Sequence, residues 1–242
     1  MAFKAACVLI FSLLLISCDL LSPGTDQAPI ICFTFDDQHI SIWQHAFSIL
    51  DQYGFKGTNF INSGRIGQPE LMDWDQLLTL ELEHGWETGG HTLYHEDLPS
   101  LSFAEAEIAI GQDYHNIRDK GLSPKGFALP GGSCPVEYYE IIDRYYDYIR
   151  CSSDFAMQRP VNRRALGYLS FQSGWTADQI KDRIKRGIAR GEALIIIGFH
   201  RIETPEGGYN DNCPATELEE IMRFVSGKGL RVMTLSEALE QL

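Results

Sequence analysis

Short apolar runs alternate along this chain with longer segments in which apolar residues recur every three to four positions. The runs have the length and the β-branched or aromatic content of buried strands, and the longer segments have the period of amphipathic helices. Eight runs are predicted strands, at residues 30–35, 58–61, 86–88, 126–129, 148–151, 168–171, 194–199 and 230–233. Regular alternation of strand and helix predicts parallel β/α units.

Several predicted helices have clear start signals. Capping boxes begin at Asp73, Ser102 and Thr176, each with Gln or Glu three residues later. Two more helices are predicted over 41–53 and 215–225, each closed by a following glycine. The count of elements fits an α/β fold with a single distorted, TIM-like (β/α) barrel of about seven strands.

Acidic and histidine residues follow the predicted strands directly. In a parallel barrel, all strands end at the same face, and active sites are built there from the following loops. The residues that come directly after strands are Asp36 with Asp37, His91, Pro130 with Gly131, and His200. Because four separate segments place them on one predicted face, they are candidates for one common site.

Two histidines four residues apart, His91 and His95, have a spacing that can present both imidazoles to one metal ion from a helical turn. Asp37 is the candidate third ligand, which leaves the open position that catalytic zinc needs. The predicted cofactor is Zn²⁺ or another divalent transition metal. Alternatively, the histidine pair is structural or on the surface, and the two aspartates cap the following helix.

Four motifs in this order resemble the polysaccharide deacetylase family, carbohydrate esterase family 4. They are Thr34-Phe35-Asp36-Asp37, His91-Thr92-Leu93-Tyr94-His95, Pro130-Gly131-Gly132 and Phe199-His200, and the resemblance covers residues 29–242. It implies the distorted barrel fold and a hydrolase of acetyl groups.

The resemblance also implies a role for each site residue. Asp37, His91 and His95 would bind the metal, and Asp36 would be the general base that activates the attacking water. His200 would protonate the leaving nitrogen. The backbone N–H of Gly131, next to Pro130, would help to hold the oxyanion.

The chain departs from the family pattern at three places. The family often has an arginine, paired with the base, where this chain has Ala128, and Arg163 and Arg164 are the candidates to replace it. Gln38 stands where a glycine commonly follows the aspartate pair. The fourth motif, an acid and a tryptophan beside the late histidine, is not recognisable, and Asp154 and Trp175 are its candidates.

The amino-terminal segment has the features of a bacterial lipoprotein signal. Residues 1–17 carry one lysine and an apolar run too short to span a bilayer comfortably, and Leu15-Ile16-Ser17-Cys18 resembles a lipobox. The predicted organisation is a signal peptide at 1–17, a tether at 18–28 and one domain at 29–242. We expect lipid on Cys18 to anchor the protein to a membrane of the cell envelope; an ordinary cleaved signal is the alternative.

Charge and cysteine content limit the partners. The formal net charge of −13 disfavours binding to nucleic acid and suits a polysaccharide that gains amines. Four cysteines beyond the lipobox allow three disulfide pairings, and none has zinc-site spacing: Cys32, Cys134, Cys151 and Cys213.

The predicted function is metal-dependent removal of N-acetyl groups from polysaccharide built of N-acetylhexosamines, in the envelope or in exopolysaccharide. Two alternatives stay open at this point. One is a membrane-tethered saccharide-binding protein without efficient catalysis, and the other is an esterase that acts on O-acetyl groups.

Overall fold

The computed structural model describes residues 28–132, 136–203 and 211–242. The predicted signal peptide, the lipobox cysteine Cys18 and nearly all of the tether lie outside the described residues, as does Cys134. Cys32, Cys151 and Cys213 are free thiols in the described part of the chain. No helix there is both long enough and apolar enough to cross a bilayer.

Seven parallel strands form one curled sheet. In the order β5-β4-β3-β2-β1-β7-β6, neighbouring strands are hydrogen-bonded, with β2 at the centre and β1 between β2 and β7. Their bounds are β1 Ile30–Asp36, β2 Gly57–Ile61, β3 Glu87–Gly90, β4 Gly126–Ala128, β5 Tyr148–Arg150, β6 Leu169–Ser170 and β7 Leu194–Phe199. The strand count and the parallel pairing confirm the predicted distorted barrel.

Residues 166–171, which include β6, bring the two edges of the sheet together. Leu166 accepts a hydrogen bond from Cys151 N at 2.7 Å and donates one to Ile149 O at 2.9 Å. A few residues later, Phe171 N donates to Gly198 O of β7 at 2.8 Å. The segment therefore contacts β5 at one end and β7 at the other.

The prediction of an eighth strand at 230–233 is wrong. This segment forms a single bridge, between Ile31 and Val232. Thr234 caps a helix that begins at Leu235, so the extended run ends before a ladder can form. The apolar run thus supports the amino-terminal end of β1 instead of adding a strand.

The helices cover the outside of the sheet. The capping boxes predicted at Asp73, Ser102 and Thr176 are all present, and the helix predicted over 41–53 begins as a π-helical turn, Ile42–Ala46. The α-helices are α1 Phe47–Asp51, α2 Trp74–Leu78, α3 Phe103–Asp119, α4 Tyr139–Ile142, α5 Ala177–Ala189, α6 Ala215–Gly227 and α7 Leu235–Glu240.

Alternate residues of β1 face two different apolar layers. Phe33 and Phe35 pack between the sheet and the helices, where Phe35 stacks on Phe199 with ring centroids 5.5 Å apart. Ile30 and Cys32 belong to a second cluster on the other face of the strand. Since side chains alternate along a strand, Asp36 lies on the side of Cys32, at the carboxyl end of β1.

Candidate active site

A pocket of about 570 Å³ opens at the carboxyl ends of the strands. It is lined by residues from six loops that follow or precede strands, which is the face that the sequence predicts for the site. The lining residues are Asp36, Asp37, His91, His95, Leu129, Gly131, Gly132, Ser152, Tyr168, Ser170, Gln172, His200 and Asp211.

Asp36 and Asp37 both reach this pocket because the strand ends between them. Asp36 is the last residue of β1, and Asp37 takes a φ of +66° in the left-handed region. In a continuous strand, the two side chains would point to opposite faces of the sheet. The break in the extended backbone therefore brings two adjacent carboxylates to one site.

His91 and His95 meet through an irregular loop. The predicted helical turn is wrong: β3 ends at Gly90, and residues 91–95 form no helix. Thr92 and His95 have φ values of +63° and +67°, which fold the loop back on itself. The two imidazoles then lie edge to face, with ring centroids 4.9 Å apart.

Asp37, His91 and His95 are arranged as a metal-binding group. Asp37 Oδ1 lies 3.8 Å from His91 Nε2 and 3.7 Å from His95 Nε2. One ligand atom from each of the three residues lies within 4.8 Å of the other two. Asp37 Oδ1 is buried without a hydrogen-bond partner among the described residues. A buried, unpaired carboxylate oxygen is costly unless a cation satisfies it, so the group fits a divalent metal.

The tautomer of His91 also suits a metal ligand. His91 Nδ1 lies 2.8 Å from the carbonyl oxygen of Ala128, which can only accept, so Nδ1 carries the proton and donates. The Nε2 lone pair is then directed to Asp37 and His95. Burial lowers the pKa of His91 despite the nearby carboxylates of Asp36 and Asp37, which favours the neutral form that binds metals.

Asp36 pairs with Arg150, which the sequence analysis missed. Arg150 Nη2 donates to Asp36 Oδ2 at 2.5 Å, and both side chains are almost completely buried. The guanidinium lies between two rings, 3.8 Å from the ring centroid of Tyr168 and 5.0 Å from that of Phe60. Burial alone would raise the pKa of Asp36, but Arg150, with His91 and His200, lowers it below its ordinary value.

The sheet register explains how Arg150 replaces the missing arginine. Ala128 of β4 pairs directly with Arg150 of β5, so the two side chains leave the sheet on the same side. The two candidates from the sequence are wrong, because both guanidiniums are engaged elsewhere. Arg163 donates to Leu239 O at 2.6 Å, and Arg164 pairs with Asp143 at 2.5 Å.

His200 lies between two carboxylates. Its Nε2 is 3.7 Å from Asp36 Oδ2, and its Nδ1 is 3.9 Å from Asp211 Oδ2. Asp211 is thus the acid beside the late histidine, a position for which Asp154 was the candidate. Asp154 instead accepts two hydrogen bonds from Arg183.

Trp175 and Pro130 do not contribute to the pocket wall. Trp175 packs against Phe171, with ring centroids 6.1 Å apart, as part of the core. Pro130 is buried, whereas Gly131 lines the pocket with a φ of +64° that favours glycine. Sequence analysis could have found Arg150 from one signal, a charged residue inside an apolar predicted strand.

The family profile described as polysaccharide deacetylase matches residues 24–145, and the chain belongs to this family. A search of curated proteins returns no match. Membership of this family makes the chain a hydrolase of the class that acts on acetyl groups of polysaccharides.

Solved structures with the same fold come from the same family. The Xyl-CE4 domain of a multidomain xylanase from the hindgut metagenome of Trinervitermes trinervoides aligns with a TM-score of 0.61 at 17% identity, covering 88% of this chain and 91% of that domain. The peptidoglycan deacetylase PdaC from Bacillus subtilis aligns with a TM-score of 0.57 at 20% identity, covering 88% and 91%. A family 4 carbohydrate esterase from Streptomyces lividans gives 0.58 at 17% identity, covering 84% and 91%.

Proposed function

We propose that this protein is a metal-dependent deacetylase that removes acetyl groups from N-acetylhexosamine units of a polysaccharide. The observation that carries the proposal is the meeting of three metal-ligand side chains with the Asp36–Arg150 pair and His200 in one pocket. A general base, a general acid and a metal group are the parts that hydrolysis of an amide needs.

Asp37, His91 and His95 would hold the metal. Once bound, Zn²⁺ or another divalent transition metal supplies Lewis acidity that polarises the acetyl carbonyl and lowers the pKa of a water molecule. The open side of the three ligands faces a pocket of about 570 Å³, which is large enough for a sugar unit and its acetyl group.

Asp36 would take the proton of the attacking water. Its Oδ2 is held by Arg150, and its Oδ1 is buried without a hydrogen-bond partner in the described part of the chain. Since Arg150 keeps the pKa of Asp36 low, the carboxylate stays ionised and able to accept a proton across the neutral range.

His200 would deliver a proton to the leaving amine. Its Nε2 faces the pocket beside Asp36, while Asp211 lies on the other side of the ring, with its Oδ2 3.9 Å from Nδ1. The backbone of Gly131 at the pocket wall would stabilise the oxyanion through its N–H group. An amine is a poor leaving group unless it is protonated, which is why the acid is needed.

Arg150 bears on the alternative of a saccharide-binding protein without catalysis. That alternative rested on the missing arginine at position 128 and on the missing fourth motif, an acid and a tryptophan. Arg150 lies beside Asp36 and Asp211 lies beside His200, which supports a catalytic site, although no tryptophan lines the described pocket. An esterase acting on O-acetyl groups uses the same set, and two of the similar structures carry xylanase or esterase names.

The decisive experiment measures acetate release by the purified protein, first stripped of metal and then reloaded with Zn²⁺. N-acetylglucosamine oligomers and an acetylated xylan are offered side by side. Zinc-dependent release from the oligomers alone supports the amidase, and release from xylan alone makes the protein an esterase. Metal binding without release from either substrate would contradict the proposal and favour the binding protein.

We also propose that this activity takes place at the cell envelope, with lipid on Cys18 as the anchor. The lipobox-like sequence supports this location. Substitution Cys18→Ser should move the protein from the membrane fraction to the soluble fraction, and an unchanged distribution would contradict the anchor.

A further inference from the structure

Gln38 is a buried polar residue at a position where its backbone conformation favours glycine. It follows the metal-ligand candidate Asp37, has a φ of +43°, and its side chain is fully buried. Its amide group forms two hydrogen bonds with the backbone of Asn62, the residue that follows β2. Gln38 Nε2 donates to Asn62 O at 3.2 Å, and Asn62 N donates to Gln38 Oε1 at 2.9 Å.

Asn62 extends this pairing to the loop that carries the two histidines. Its side-chain nitrogen Nδ2 donates to His91 O at 2.5 Å and to Thr92 O at 3.2 Å. All four residues in this network are buried. A continuous chain of hydrogen bonds therefore runs from the loop after β1, through the end of β2, to the loop after β3.

The network lies where the backbone is strained. Five non-glycine residues have positive φ in the described ranges, and four of them belong to the two ligand loops: Asp37, Gln38, Thr92 and His95. Such conformations persist only where surrounding contacts hold them. The hydrogen bonds of Gln38 and Asn62 are contacts of this kind, since they join the strained segments to each other.

We propose that Gln38 and Asn62 are positioning residues that set the distance between Asp37 and the two histidine ligands. Gln38 acts through Asn62, and neither side chain is a metal ligand. The proposal rests on the metal site of the proposed function. Groups of this kind around a metal site commonly change metal affinity by about 10- to 100-fold when they are removed.

Gln38→Gly tests the proposal because it removes the amide but keeps a backbone that tolerates positive φ. Glycine accepts a φ of +43° without strain, which offsets part of the cost of leaving the buried Asn62 N–H and carbonyl groups without their partners. Glycine also removes the amide that pairs with Asn62, so metal affinity should fall. A residue that only supports the fold would leave the Zn²⁺ affinity of the folded protein unchanged, however much its substitution lowers stability.

The experiment uses the full-length protein and measures the Zn²⁺ dissociation constant by competition with a chelator, alongside the thermal melting temperature of the metal-free form. Gln38→Gly should weaken Zn²⁺ binding by about 10- to 100-fold at a temperature well below the melting temperatures of both proteins, where both are folded. The visible spectrum of the Co²⁺-loaded protein should also shift, since the ligand geometry changes. Glu70→Gly is the control, because Glu70 has a φ of +66° but is exposed and outside the network; its Zn²⁺ affinity should stay unchanged.

A second variant tests the connection through Asn62. Asn62→Ala keeps the backbone that pairs with Gln38 and removes only the contacts to His91 and Thr92. It should weaken Zn²⁺ binding to a similar extent, and the double variant should lose less than the product of the two single effects. Fully multiplicative losses would overturn the claim that Gln38 acts through Asn62.

The outcomes separate this proposal from the one on which it rests. If the wild type binds Zn²⁺ tightly and Gln38→Gly binds it equally well, the positioning role is wrong and the metal site stands. If the wild type and His91→Ala bind Zn²⁺ equally weakly, both the metal site and the positioning role are wrong.

Discussion

Two adjacent aspartates in this site have different surroundings. Asp36 is buried and ion-paired with Arg150, whereas Asp37 is partly exposed and faces the imidazoles of His91 and His95. The difference comes from the backbone, since Asp36 ends the strand and Asp37 turns out of it. One carboxylate is thereby suited to proton transfer and the other to metal binding.

Substitutions of Asp36 and His91 should separate turnover from metal binding. Asp36→Asn removes the proposed base but no ligand, so kcat should fall by about 10²- to 10⁴-fold with Zn²⁺ still bound. His91→Ala removes a ligand, so both metal and activity should be lost. Metal content by elemental analysis, measured with acetate release, checks this, and equal activity in either variant would contradict the assigned roles.

Glu87 at the start of β3 is a buried carboxyl group. Burial raises its pKa above the ordinary value, although Ser236, Tyr148 and Thr58 donate hydrogen bonds that oppose the shift. An acid whose folded pKa is raised contributes stability below its unfolded pKa of 4.5 and loses it as pH rises through the folded pKa.

The contribution of Glu87 to the free energy of unfolding should therefore decline as the pH rises above 4.5. In Glu87→Gln, which cannot ionise, that part of the decline should be absent, even if the variant is less stable at every pH. Urea unfolding of both proteins at a series of pH values measures the two slopes. Parallel slopes would show that Glu87 does not titrate differently in the folded state.

At the scale of elements, the pairing of β4 with β5 decides which cation reaches Asp36. Arg150 comes from β5, and its register partner Ala128 leaves room on β4. Breaking a buried ion pair from one side costs about 3–5 kcal/mol. Arg150→Ala should therefore destabilise the fold by about that amount and raise the pKa of Asp36, with a loss of activity at neutral pH.

An arginine placed back on the neighbouring strand should repair part of this loss. In the Arg150→Ala background, Ala128→Arg puts a guanidinium at the paired position on the same side of the sheet. We expect acetate release and the urea midpoint to recover in part. Arg164→Ala is the matched control, since it removes an exposed arginine paired with Asp143 and should have little effect. No recovery in the double variant would show that the two strand positions are not equivalent.

The sequence predicts the elements of this fold better than the contacts between them. Strands, capping boxes and the residues that follow each strand depend on local patterns, and the local predictions failed at the strand 230–233 and at the helical turn 91–95. The Asp36–Arg150 pair depends on the register between two strands, which no local pattern encodes. Asp211 was missed for a similar reason, since it reaches His200 from a loop that precedes α6 and has no motif of its own.

At the scale of the whole molecule, the proposed metal joins two loops that are far apart in sequence. Asp37 follows β1, and His91 and His95 follow β3, with β2 between these strands in the sheet. A ligand that binds only the folded state stabilises it by about 2.7 kcal/mol at a concentration 100 times its dissociation constant.

Saturating Zn²⁺ should accordingly raise the melting temperature, and a chelator should reverse the increase. Differential scanning fluorimetry of the metal-free and reloaded protein measures the shift. His91→Ala should show none, because the group of three ligands is broken. An equal shift in that variant would place the bound metal elsewhere.

The register partnership of Ala128 and Arg150 has a consequence for how such a site can change over time. A chain with arginine at both positions would keep Asp36 paired throughout, so either arginine could later be lost without an inactive intermediate. In this way the arginine could move from one strand to the next while Asp36 stays paired. A comparison that requires arginine at the position of Ala128 would therefore overlook a chain that, like this one, carries it on the adjacent strand.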